Sequence, residues 1–163
     1  MPRVYLSLGS NIERERHLRA AYVALTAQFG PLRLSSVYES VAVGFTGDHF
    51  FNLVAAIDTG LAVGALAAQL RAIEEANGRC RSGPKFSSRT LDIDILTYGE
   101  ALGTIDGVQL PRDEVLKNAF VLQPLAEIAG EERHPETGLT YAEHWAAYDK
   151  SRQSLWIVPF SWQ

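Results

Sequence analysis

Residues 90–98, TLDIDILTY, constrain the fold more than any other stretch of the chain. Apolar and polar side chains alternate there, a period-two pattern that suits an extended strand and not a helix. Successive side chains of a strand leave on opposite faces, so Leu91, Ile93 and Ile95 go to one side while Asp92 and Asp94 go to the other. Other segments supply a sheet for this strand to join. Residues 3–8 alternate and are β-rich, and Gly9-Ser10-Asn11 is expected to turn the chain into a helix over 12–28, with Leu18, Ala21, Tyr22 and Leu25 on one face and Gly30-Pro31 at its end. A strand pattern covers 32–43, a polar loop 44–48 and a second strand pattern 50–59. Residues 61–77 read as a helix with Leu66, Leu70 and Ile73 as its buried stripe.

Beyond residues 78–89, which are rich in Gly, Pro, Ser and basic residues and expected to be a flexible surface loop, the strand at 90–98 runs into a hairpin over 99–110. AFVLQPLAEIAG then reads as a helix with a proline near its start, followed by a short helix near 141–148 and a β-rich stretch at 155–158. The order strand, helix, strand, strand, helix, strand predicts an α+β sandwich of the ferredoxin-like split β-α-β kind, with extra C-terminal elements. At 163 residues and 47% hydrophobic content, the chain is expected to form a single domain, 1–163, that fills its own core.

Composition excludes several function classes. Cys80 stands alone, and no Cys/His cluster has zinc-ligand spacing, which disfavours both a disulfide scaffold and a zinc module. The start MPRVYLSLGSN lacks a secretory pattern and no window approaches ~18 uninterrupted apolar residues, so the expected location is the cytoplasm, with no membrane partner. A net charge of -4 is the wrong sign for a surface that embraces nucleic acid. Any bound anion must meet a local patch.

Such a patch exists. Arg79, Arg81, Lys85 and Arg89 fall within eleven residues that contain no acid, and guanidinium groups chelate phosphate oxygens as a fork. The loop feeds directly into Asp92 and Asp94. Two carboxylates on one strand face repel unless a cation lies between them, and Mg²⁺ suits such oxygen ligands. A solvated strand face and a solvated basic loop explain each feature separately; their adjacency favours a nucleotide-phosphate site. Asn52, between Phe51 and Leu53, is a polar group that burial makes costly without a partner; it is either a satisfied structural amide or one edge of a site for a flat heterocycle. The histidines, His17, His49, His134 and His144, form no nucleophile-and-base pattern, and Cys80 has no assigned role.

The ordered set LGSN (8–11), F-x-N (50–52), G-R-x-R (78–81), RTLDIDIL (89–96) and FVLQPLAEIA (120–129) resembles the 6-hydroxymethyl-7,8-dihydropterin pyrophosphokinases of folate biosynthesis across nearly the whole chain. The resemblance implies a ferredoxin-like α+β sandwich that transfers pyrophosphate from ATP to the pterin hydroxymethyl group and releases AMP. It implies that Asp92 and Asp94 hold two Mg²⁺ ions, and that Arg79, Arg81 and Arg89 grip the triphosphate, Arg79 and Arg89 acting in catalysis with the acid pair. Ser40, Val43, Phe50, Asn52 and Phe120 correspond to pterin-binding positions, and Glu74 to a nucleotide-side acid of the preceding helix. Phe86 falls where a tryptophan is common.

The chain departs from the family pattern at two places. Pro111 is followed by Arg112, Asp113 and Glu114 instead of histidine, and Asn118 stands where an arginine is usual; Arg112 and Lys117 are the expected replacements on the nucleotide. Residues 39–44, ESVAVG, lack the usual T-x-P-like loop. The expected partners are ATP and a reduced pterin, bound by a monomer. The rival reading is a non-catalytic pterin- or nucleotide-binding paralogue, and an RNA-binding ferredoxin-like domain is disfavoured by charge.

Overall fold

The computed structural model describes residues 1–42, 47–78 and 90–163. The elements run β1 (Arg3–Ser10), α1 (Arg14–Phe29), β2 (Arg33–Leu34), β3 (Val37–Ser40), β4 (Phe50–Asp58), α2 (Val63–Ala76), β5 (Asp92–Tyr98), β6 (Gly103–Ile105), β7 (Val108–Leu110), α3 (Glu114–Lys117), α4 (Ala119–Ala129), α5 (Tyr141–Ala147) and β8 (Leu155–Val158). The main sheet has the order β5-β1-β4-β3-β8 with every pair antiparallel, and β2 adds to β4. Strand β4 thus lies between β1 and β3, and β1 between β4 and β5, the interleaving of a split β-α-β fold. The α+β ferredoxin-like expectation is met.

Side-chain alternation gives the sheet two faces. Val4, Leu6, Leu8, Leu53, Ala55, Ile57, Ile93 and Ile95 join Leu18, Leu25, Leu66 and Leu70 of α1 and α2 in one core. Tyr5, Val54, Ala56 and Leu96 face the other way, against Val121, Leu122 and Leu125 of α4 and Tyr141 of α5. Leu6, Leu18, Leu53, Leu66, Leu122 and Leu125 are essentially fully buried, and each such side chain contributes ~1.5–3 kcal/mol of burial. Both helical layers therefore hold the sheet rigid. At the far end of β5 the register slips between Tyr5 and Leu6, a bulge that moves Tyr98 into the α1–α2 core while Asp92 and Asp94 stay on the α4 side.

Three local expectations are corrected. Gly9 and Ser10 do not turn the chain but continue β1, where they pair with Asn52 and Phe51. The strand expected over 32–43 breaks into β2 and β3 because Ser35 replaces a ladder contact with its hydroxyl: its N–H donates to Val54 O, and Val54 N–H donates to Ser35 Oγ at 2.9 Å. Pro124 lies in the middle of α4, not near its start, so the carbonyl of Phe120, four residues earlier, lacks its usual helical donor.

Candidate active site

In antiparallel strands, paired residues point to the same face. Asp92 pairs with Gly9, Gly9 with Asn52, and Asn52 with Tyr38; Asp94 pairs with Ser7, and Phe50 with Ser40. One row across four strands therefore brings the acid pair, the Asn52 amide, the Phe50 ring and the Ser40 hydroxyl onto the α4 side of the sheet. Within this row Asn52 Nδ2 donates to Ser40 Oγ at 2.7 Å, and both side chains are buried.

Gly9 makes the row possible. A Cβ at this position would lie 3.0 Å from Asn52 Oδ1 and 3.8 Å from Phe50 Cδ1. Gly9→Ala should push the Asn52 amide aside and, where Asn52 meets the pterin as the sequence resemblance implies, weaken pterin binding by at least ~5-fold, on the scale of one misplaced hydrogen bond. Calorimetry with the pterin and with an ATP analogue checks this; unchanged pterin affinity would remove Gly9 from the site.

Burial, and after it the like charge of Asp92, pushes the Asp94 carboxyl up to about 8; Arg112 pulls the other way, while Glu114 and Glu74 add to the rise. Arg112 Nη2 stands 3.8 Å from Asp94 Oδ1 and 3.0 Å from Glu114 Oε1. Its buried Nε finds no hydrogen-bond partner among the described residues. Arg112 reaches this place because its own N–H donates to Leu96 O at 2.8 Å, anchoring the chain to β5. Lys117 is bound to Asp113 at 2.8 Å and is largely exposed. Glu74 is buried and accepts from the N–H of Ile93, between the two aspartates, at 2.7 Å. It thereby holds the edge strand that carries the acid pair.

Phe120 is half-buried in the first turn of α4, the helix that covers this face. Val43, Arg79, Arg81, Lys85, Phe86 and Arg89 lie outside the described residues. The acid pair fits Mg²⁺ by donor chemistry. Among the described residues no three His, Cys, Asp or Glu side chains converge as a closed metal centre, and Mg²⁺ takes one or two carboxylates, keeps waters and shares substrate phosphates. A polar cleft of about 670 Å³ lined by Asn11, Arg14, Glu39, Asp48 and His49 opens elsewhere. Glu39 pairs with Phe51, whose side chain belongs to the α1–α2 core, so that cleft is on the opposite face. Gly9 and the Arg112–Asp94 contact were not foreseeable from local pattern, since both depend on register between distant segments.

An antiparallel sheet covered on both sides defines a ferredoxin-like α+β domain, and one face of that sheet aligns an acid pair with a buried amide. The family model described as 7,8-dihydro-6-hydroxymethylpterin-pyrophosphokinase (HPPK) matches residues 5–130, and the chain belongs to that family. It is similar to the 2-amino-4-hydroxy-6-hydroxymethyldihydropteridine pyrophosphokinase of Pseudomonas aeruginosa, 38% identical over 138 residues, covering 82% of this chain and 85% of that protein. The identically named protein of Methylorubrum extorquens is 39% identical over 133 residues, with 79% and 84% covered. Folic acid synthesis protein fol1 of Pneumocystis carinii is 34% identical over 144 residues, but these make up 86% of this chain and only 19% of that protein. Among solved structures, HPPK-DHPS of Plasmodium falciparum matches with a TM-score of 0.70 at 14% identity, over 91% of this chain and 44% of that one. That likeness shows the fold alone. ATP is the family's co-substrate and Mg²⁺ its typical ion.

Proposed function

We propose that this chain, acting as a single domain over 1–163, performs its family's reaction on the row just described: transfer of pyrophosphate from ATP to the hydroxymethyl group of 6-hydroxymethyl-7,8-dihydropterin, in folate biosynthesis. The alignment of Asp92, Gly9 and Asn52 on one sheet face carries this reading, because it sets metal-ligating oxygens beside a heterocycle-reading amide. The pterin oxygen attacks the β-phosphorus, the bond from that phosphorus to the oxygen of the α-phosphate breaks, and AMP leaves. Asn52 and Ser40 read the ring edge, Phe50 and Phe120 cover its faces, and Val43 lies beside it. Asp92 and Asp94 would hold two Mg²⁺ ions, which when bound would neutralise phosphate charge and lower the pKa of the alcohol.

Arg79, Arg81 and Arg89 grip the triphosphate, while Glu74 fixes β5 on the nucleotide side. Arg112 and Lys117 each already contact carboxylates, so they meet phosphate by exchanging Glu114 and Asp113 for it. The protein orients two reactants and compensates charge, the terms that dominate phosphoryl transfer. The chain acts as a monomer in the cytoplasm, without nucleic-acid or membrane partners; among the described residues no helix is long and apolar enough to cross a membrane. Incubation with ATP, Mg²⁺ and the reduced pterin, scored by ³¹P NMR, tests the proposal. AMP and pterin diphosphate in equal amounts support it, ADP means ordinary kinase chemistry, and no turnover with intact ligand binding means a binding paralogue.

A further inference from the structure

The junction between α3 and α4 is held from outside. Asn118 occupies the N-cap position of α4 with extended backbone, yet its side chain makes no cap hydrogen bond. Instead Asn118 Oδ1 accepts from Gln153 Nε2 at 2.9 Å, and Gln153 Oε1 accepts from the N–H of Ala119, the first residue of α4, at 2.8 Å. A few residues away, Tyr148 Oη donates to Lys117 O at 2.8 Å. Three consecutive residues, 117–119, are thus tied to the segment 148–153, which lies beyond the family match at 5–130. The next residue is Phe120. Its turn is short of one backbone hydrogen bond because Pro124 has no N–H to give its carbonyl. An orphan helix N-terminus needs a partner for its first N–H groups, and here a glutamine thirty-four residues away supplies it.

We infer that Gln153 is a positioning residue for the pterin site: by capping α4 in place of Asn118 it fixes the first turn and thereby the Phe120 ring. The inference rests on the functional reading that Phe120 covers the pterin. Its chemistry is neutral and bidentate, one donor and one acceptor on a planar amide, so a glutamate can replace it. The carboxylate still accepts from Ala119 N–H, and the Asn118 amide turns over to donate its NH₂.

Full-length Gln153→Ala and Gln153→Glu variants are titrated calorimetrically with the pterin and, separately, with a non-hydrolysable ATP analogue and Mg²⁺, well below the melting temperature of each. Gln153→Ala should weaken pterin binding by ~5–10-fold and nucleotide binding by less than ~2-fold, with Gln153→Glu close to wild type. Equal losses for both ligands, no loss, or a Gln153→Glu variant as weak as Gln153→Ala overturns the inference. If Gln153→Ala does not fold, Gln153→Leu is read by the same criteria, and failure of both to fold marks a purely structural residue and also overturns it. A wild-type chain that takes up no pterin defeats the functional reading instead; amide exchange at 119–120 then decides the brace, speeding by at least ~10-fold in Gln153→Ala if it holds and staying unchanged if it does not.

Discussion

Asp94→Ala should lower AMP formation by at least ~100-fold with the fold intact, because charge neutralisation by a bound cation supplies several kcal/mol of barrier reduction. Loss of this carboxylate leaves Asp92 on the same face but removes half of the donor set. The stability of the metal-free protein should move the opposite way. The Asp94 carboxyl is raised to about 8 from an unfolded value near 3.8, burial being the first cause, so the folded chain disfavours its ionisation. Without a cation, stability therefore falls as pH rises from about 4 through about 8. Asp94→Asn carries no such penalty and should be more stable than wild type at pH 9 by roughly 1–3 kcal/mol. That is well below the full shift at about 1.4 kcal/mol per unit, because a quarter of the Asp94 side chain is open to water. Mg²⁺ should narrow the gap by stabilising wild type. Denaturant midpoints for the two proteins, with and without Mg²⁺, check the sign; a less stable Asn variant at pH 9 would contradict it.

Asn52→Ala should weaken pterin binding by at least ~10-fold and leave affinity for an ATP analogue within ~2-fold, since a buried polar group left without its partner costs ~1–3 kcal/mol. Asn52 already spends one N–H on Ser40 Oγ, and Gly9 leaves room at its Oδ1. Ser40→Ala removes only the group that orients the amide and should cost less. Losses that are equal for both ligands in Asn52→Ala would make it a structural amide that ties β4 to β3.

The faces of single elements were legible in the sequence, and the relations between elements were not. Alternation in 90–98 placed Asp92 and Asp94 together because side-chain direction along a strand is set by the backbone itself. The helical stripe at Leu66, Leu70 and Ile73 was equally local. Gly9 looks like part of a turn by its local sequence, since nothing within LGSN tells that Asn52, more than forty residues on, needs the space of a missing Cβ. Arg112 was legible as a spare cation beside phosphate but not as a partner of Asp94, because that approach depends on the β6–β7 hairpin returning the chain to β5. Gln153 sits in a polar stretch with no local pattern at all, and its partners lie at the start of α4, more than thirty residues earlier. Family resemblance supplied the functional assignment of Asn52 and Phe120, which local chemistry alone left divided between structure and recognition.

The most direct test of the acid-pair row is a crystal structure of the chain with Mg²⁺, a non-hydrolysable ATP analogue and the hydroxymethylpterin. The account predicts cation density touching both Asp92 and Asp94, the triphosphate on that density, and the pterin edge on Asn52 with its hydroxymethyl oxygen facing the β-phosphorus. A nucleotide bound away from β5, or a pterin seated in the cleft beside His49 on the opposite face of the sheet, would contradict it.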